Sequence, residues 1–297
     1  MKFLYRILLL SLVFICVFFK PAYAENSEPI KILSIGNSFS QDIQTYIDEI
    51  AASAGVDVIV GNLYRSGESL EGHWKQASQS NKAYHYEKKV IFNGESQART
   101  LHNISLKDGL ADENWDYITL QQTSGKSGLY RTYQPYLGNL IDYIGLHQKN
   151  PNAQLAIHMT WAYAKDSSHK SFPYYGKNQW NMYRSIVSTS LQAMKEPSIS
   201  VILPTGTAIQ NARTHATLNR FGDELTADGY HLGPLGDYIG GMVLFETFLA
   251  KPYHKDIFKE VNFKPAEITD KQAYLAKLAA KEAVKNPFDV TNIDLVK

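Results

Sequence analysis

The chain has 297 residues, 30 basic and 29 acidic side chains, and a formal charge of +1. That balance leaves no electrostatic footprint for nucleic acid. The only cysteine, Cys16, lies in an apolar leader, so disulfide staples, thiolate metal sites and a cysteine nucleophile are excluded from the rest of the chain.

Lys2 and Arg6 precede an almost wholly apolar run over 7–19, and Ala22-Tyr23-Ala24 follows as a small-x-small cleavage pattern. The expectation is a signal peptide over 1–24 and export to the periplasm or beyond, with no stable membrane insertion after cleavage, because the run is short for a spanning helix. Large Phe14 and Ile15 before Cys16 argue against a lipoprotein anchor. Losing Lys2, Arg6 and Lys20 leaves 27 basic against 29 acidic residues, a formal charge of −2. Residues 25–297 suit one large α/β domain or two small ones. The 19 tyrosines fit a real core and also supply rings of the kind that line sugar-binding clefts.

Residues 30–35 form an apolar run entering Gly36 and are predicted as a buried first strand. Ile43, Ile47, Ile50, Ala51 and Ala54 then recur at helical spacing, with Gly55 as C-cap. Further strands are predicted at 56–63, 115–120, 154–161 and 199–203, with helices at 136–147 and 178–194. This alternation predicts a three-layer α/β/α sandwich around a mostly parallel, flavodoxin-like sheet of about five strands. Residues 84–106 break the rhythm and are expected as a hairpin or irregular insertion that could form one wall of a cleft. Leu235, Ile239, Val243 and Phe245 predict a packed helix, and 251–297 a charged tail with a helix near 270–284. No repeat or linker divides the chain, so 25–297 is expected to be a single domain.

Ser38, in Gly36-Asn37-Ser38-Phe39-Ser40, stands where the carboxyl end of the first strand meets a helix start. Open α/β sheets bind ligands at that edge, and free backbone N–H groups there suit a developing anion. A serine in that place also serves as a helix cap. Ser40, beside Gln41 and Asp42, is the better cap, which leaves Ser38 free to act as a nucleophile. Asp228-Gly229-Tyr230-His231 places a carboxylate three residues before an imidazole. A serine hydroxyl needs such a base, and the base needs an acceptor to hold its tautomer. The bland alternative is a loop in which Asp228 satisfies backbone amides and His231 is simply exposed.

The Gly-Asn-Ser turn and Asp-Gly-Tyr-His-Leu resemble the first and last sequence blocks of the SGNH (GDSL-like) hydrolase superfamily, with Gly-Asn-Ser in place of the usual Gly-Asp-Ser. The resemblance implies Ser38 as nucleophile, His231 as base and Asp228 as its orienter. It also implies an oxyanion hole built from the Ser38 N–H, the Gly67 N–H and a side-chain amide. The superfamily takes that amide from an asparagine after the third strand. Here the segment ends Leu120-Gln121-Gln122-Thr123, so Gln122, with Gln121 next, is expected to take the part. Gln121, Trp161, Asn211 and Arg213, at or after strand ends, are candidate substrate-binding residues.

Other signals fail. Gly125-Lys126-Ser127 matches the end of a phosphate loop, but Leu120 stands where the upstream glycine is required. The nine histidines show no metal-ligand spacing, so neither metal nor other cofactor is expected. The function expected is hydrolysis of an ester, with an O-acetylated polysaccharide or glycan as substrate. The alternatives are a lipid or aryl esterase of the same fold, or a glycan-binding or assembly protein without turnover.

Overall fold

The computed structural model describes residues 28–220 and 222–296. The expected leader over 1–24 lies outside them. Among the described residues no helix is long and apolar enough to cross a membrane.

In chain order the elements are β1 (Ile30–Gly36), α1 (Ser38–Gln44), α2 (Ile47–Ser53), β2 (Val58–Tyr64), α3 (Leu70–Ser78), β3 (Tyr84–Phe92), β4 (Glu95–Ile104) and α4 (Leu106–Leu110). There follow β5 (Tyr117–Leu120), α5 (Tyr136–His147), β6 (Gln154–His158), α6 (Gln179–Ala193), β7 (Ile199–Leu203), α7 (Thr205–Ala212), α8 (Pro234–Phe245), α9 (Ile257–Glu260) and α10 (Asp270–Lys285). The sheet order is β4-β3-β2-β1-β5-β6-β7. The run β2-β1-β5-β6-β7 is parallel, matching the five strands expected. The sheet has seven strands because residues 84–106 add two antiparallel ones to its β2 side.

The hairpin forms for a local reason. Asn93 and Gly94 join β3 to β4 with φ of +51° and +80°, the left-handed pair that a two-residue hairpin turn requires. Near its other end, Tyr86 pairs with Leu101 but Tyr84 pairs with Ile104, so His85 faces two residues, His102 and Asn103. Asn103, at φ +58°, absorbs this bulge.

Alternate residues of the central strands feed opposite cores, as expected of a sheet covered on both faces. Ile32, Val58, Val60 and Ala156 join the core under α1, α2, α7, α8 and α10. Leu33, Ile35, Leu63 and Ile157 join the core under α3, α4 and α5. The five parallel strands end on one edge, at Gly36, Tyr64, Leu120, His158 and Leu203. The parallel strands β2 and β5 lie on opposite sides of β1, so the topology switches direction there, and open sheets of this kind bind ligands beyond the carboxyl end of that strand. Ser38 follows immediately.

Candidate active site

The turn after β1 is capped by Asn37. Its backbone is extended (φ −137°, ψ −156°) and its Oδ1 accepts the Phe39 N–H at 3.0 Å. This corrects the expectation that Ser40 caps the helix. Ser40 is buried inside the first turn, with its hydroxyl 2.7 Å from the Asn37 carbonyl and 2.8 Å from Asn62 Oδ1. Helix α1 therefore starts at Ser38 itself.

The loop before α8 brings the base across the whole fold. His231 Nε2 lies 2.9 Å from Ser38 Oγ, although the two residues are 193 positions apart. His231 Nδ1 lies 2.8 Å from Asp228 Oδ2. The other carboxylate oxygen of Asp228 accepts the backbone N–H groups of Tyr230 and His231, at 3.1 and 2.8 Å. Burial alone would raise the Asp228 pKa, but these hydrogen bonds with the His231 backbone, the His231 ring and the Tyr230 backbone hold it below its ordinary value. The turn is possible because Gly229 sits at φ +89°, where a Cβ would also press on Ser167 at 3.2 Å. An isolated bridge between Thr226 and Leu232 closes the loop behind it.

Two further ties fasten this loop to the nucleophile helix. Asp42, one turn beyond Ser38, accepts the Leu232 N–H at 3.0 Å. Trp161 stacks on Phe39 with centroids 4.1 Å apart and donates its indole N–H to the Tyr230 carbonyl at 2.7 Å. Trp161 is fully buried, so it braces the site and does not line it, contrary to the expectation of a substrate-binding role. Burial pushes the Asp42 carboxyl up to about 6 and that of Asp237, on α8, up to about 8, where the charge of Asp42 adds to the effect.

The turn carrying Gly67 lies against the Gly-Asn-Ser turn. Arg65 N–H donates to the Gly36 carbonyl at 3.1 Å, and Asn37 Nδ2 donates to the Glu68 carbonyl at 2.9 Å. Gly67 has φ +61° and open space where a side chain would stand. Neither its N–H nor that of Ser38 donates to an acceptor among the described residues.

The two glutamines after β5 part company because successive residues of an extended chain point to opposite sides. Gln122 turns away from the serine. Its Oε1 accepts from Leu70 N–H and Thr123 N–H, and its Nε2 donates to the Thr132 carbonyl at 3.0 Å. That engagement corrects its expected place in the oxyanion hole: Gln122 ties α3 to the 123–132 loop. Gln121 faces the nucleophile turn, donating from Nε2 to Asn37 Oδ1 at 2.6 Å. Its Oε1 takes the Nδ1–H of His158 at 2.8 Å, and His158 Nε2 faces the Thr205 hydroxyl at 3.1 Å. Asn37, Gln121, His158 and Thr205, each at or just past the carboxyl end of a strand, form one buried polar ladder. Burial drives His158 down to about 3, so its ring is neutral, with one nitrogen donating and the other accepting. Sequence reasoning passed over Asn37 and His158; their shared position at strand ends was the signal.

Asn211 is also corrected. Asn211 is fully buried, donating to the Ala279 carbonyl at 3.2 Å and accepting the Thr291 N–H at 2.7 Å, and so fastens the C-terminal segment to α7. Arg213 is buried against Asp223 and donates to the Ala162 carbonyl at 3.0 Å. Asn211 presents no free polar group to a substrate, whereas Arg213 borders a cavity of about 320 Å³ beside Lys165, Gln179 and Asn219, away from Ser38, with its terminal nitrogens held by Asp223 and the Ala162 carbonyl.

A cavity of about 730 Å³ lies at the opposite edge of the sheet, among Ile30, Lys31, Tyr117 and Gln154 at the amino ends of their strands. It holds no paired nucleophile and base, so the carboxyl edge, where Ser38 and His231 meet, is the better candidate site. Among the described residues no group of three or more His, Cys, Asp or Glu is placed to hold a metal ion.

A family model described as a domain of unknown function (DUF4886) matches residues 31–283. The chain belongs to that family. A DUF4886 family protein from Bacteroides uniformis is 37% identical, with a TM-score of 0.82 over 91% of this chain and 100% of its own. The acetylxylan esterase Axe2 from Geobacillus stearothermophilus is 11% identical, with a TM-score of 0.47 over 74% of this chain and 94% of its own. TesA is 14% identical, with a TM-score of 0.43 over 75% of this chain and 98% of its own. No curated protein matches the sequence.

Proposed function

We propose that this DUF4886 chain is a serine ester hydrolase of the SGNH type that removes O-acyl groups, acetyl foremost, from a glycan in the bacterial periplasm or outside the cell. The observation that carries this reading is the continuous hydrogen-bonded chain from Ser38 Oγ through His231 to Asp228.

With Nδ1–H donated to Asp228, the free lone pair of His231 Nε2 faces the serine hydroxyl and takes its proton as Oγ attacks the acyl carbon. The tetrahedral oxyanion is received by the unengaged N–H groups of Ser38 and Gly67. His231 then returns the proton to the leaving sugar hydroxyl, freeing the alcohol and leaving an acyl-serine. Water enters, loses its proton to the same nitrogen and attacks the ester, releasing the carboxylic acid and restoring Ser38. Gln121 acts from behind by holding Asn37, which fixes the turn that carries Ser38. The export is supported by the leader-like N-terminal sequence, and the glycan by the water-exposed polar side chains of His231 and Asp228 beside Ser38.

The test is acetate release by purified residues 25–297 from short aryl acetates and from O-acetylated polysaccharides, with Ser38→Ala alongside. Release from both substrate kinds that disappears in the variant is the expected result. Release that persists in the variant, or no release from any ester, overturns the reading.

A further inference from the structure

Register places a row of side chains beside the nucleophile turn. Gly36 pairs with Tyr64 across β1 and β2, and Tyr64 pairs with His85 across β2 and β3. His85 in turn faces the bulge that holds His102. Neighbouring strands lie about 4.8 Å apart, so the row runs laterally from the turn of Ser38 for about three strand spacings. The rings touch in sequence: Tyr64 and His85 have centroids 6.1 Å apart, and His85 and His102 meet edge to face at 4.6 Å.

All of this lies on the face that α1 covers. Asn62, two residues before Tyr64, bonds the Ser40 hydroxyl, and Glu87, two after His85, bonds Gln41. The alternate residues Leu63 and Tyr86 point into the other core. Beyond the end of α1 the row is uncovered, with His85 and His102 exposed and Tyr64 half-buried. The bulge at His102 and Asn103 interrupts the ladder at the edge nearest the site, where bulges re-aim side chains.

We propose that Tyr64, His85 and His102 bind the sugar chain of the substrate and lead it from Ser38 across the β2–β3–β4 wing. The proposal rests on the ester-hydrolase reading above and assigns the alcohol side of that substrate to one direction from Ser38. Each ring has a flat face for the C–H side of a pyranose and a polar N or O for its hydroxyls. An acyl chain is the poorer occupant, because covering this row with hydrocarbon would strand three polar groups without partners.

Two measurements test it. In the first, Ser38→Ala protein is titrated with unacetylated β-1,4-linked gluco-, xylo- and manno-oligosaccharides while the ring protons of its histidines are followed by NMR. Saturable shifts of the His85 and His102 signals are expected with at least one series, with affinity rising with chain length. His85→Ala or His102→Ala should then weaken binding roughly tenfold or more, about 1.4 kcal/mol. Absence of binding across all three series, or binding that leaves those signals in place, overturns the proposal. In the second, the ratio of kcat/KM on an acetylated oligosaccharide to that on phenyl acetate should fall about tenfold in either variant, chiefly through KM; an unchanged ratio overturns it. If Ser38-dependent hydrolysis holds while both readouts stay flat, this proposal fails and the hydrolase reading stands. If the oligosaccharide binds at the row but no ester is cleaved, sugar binding by the row stands, while its part in leading a substrate from Ser38 fails with the hydrolase reading.

Discussion

Two sets of polar residues meet at Ser38 and differ in their surroundings. The Ser38–His231–Asp228 chain is open to water, the last two side chains being 33% and 42% exposed. The ladder of Asn37, Gln121, His158 and Thr205 beneath it is buried, and each rung is bonded to the next. Removing a group from the open set leaves the remainder solvated, so stability hardly changes while chemistry is lost. Removing one from the buried set strands a polar partner in the interior, which costs stability directly. Reactive groups and supporting groups are thus separable by experiment.

The largest contrast is expected from Ser38→Ala or His231→Ala. Turnover of a cleaved ester should fall by roughly three to six orders of magnitude. Unfolding free energy should stay within about 0.5 kcal/mol, since neither change creates a cavity or a buried orphan. Urea denaturation beside initial rates checks both halves. Asp228→Asn should come next: an amide in place of the carboxylate favours the wrong imidazole tautomer, and a loss of about two to four orders of magnitude in kcat is expected. A rate within about tenfold of the parent would remove Asp228 from the mechanism.

Gln121→Leu probes the buried set. It leaves the His158 Nδ1–H without an acceptor and should lower stability by about 1–3 kcal/mol, measured by chemical denaturation. Its effect on kcat should be smaller than that of any triad substitution, because it acts only through Asn37. A full-scale catalytic loss with normal stability would break the distinction between the two sets.

The smallest effect concerns the acids between α1 and α8. Asp42 and Asp237 have folded-state pKa values raised from 3.8 to about 6 and about 8, chiefly by burial. Between about pH 4 and 8 the folded protein keeps protons that the unfolded chain releases, so this contribution to stability is full at low pH and is lost as pH rises. Asp237→Asn removes one of the two groups. The decline of Tm from pH 5 to pH 8 should therefore become shallower in the variant, as thermal melts at the two pH values would show. A parallel decline would mean that Asp237 is ionised in the folded protein throughout.

The hairpin at 84–106 shows how local and distant information divide. The sequence leaves this segment open as a hairpin or an irregular insertion; Asn93-Gly94 forms its turn locally, yet the pairing of β3 onto β2 depended on a partner strand remote in sequence. The C-terminal helix, expected near 270–284, is found at Asp270–Lys285 because capping by Thr269 and Gln272 and an apolar stripe are both local. Arg213 illustrates the opposite case: its position after a strand end suggested substrate binding, and only Asp223 and the Ala162 carbonyl reveal that it is engaged elsewhere.

The amino-acid order alone determined the alternation of strands and helices, the carboxyl-edge position of Ser38, and the short Asp228–His231 turn, because periodicity and tight spacing act over a few residues. Tertiary structure decided which glutamine faces the nucleophile and that Trp161 braces the site from inside. Those outcomes depend on which groups distant segments bring within about 3 Å, and hydrogen-bond geometry at that range has no signature in local sequence.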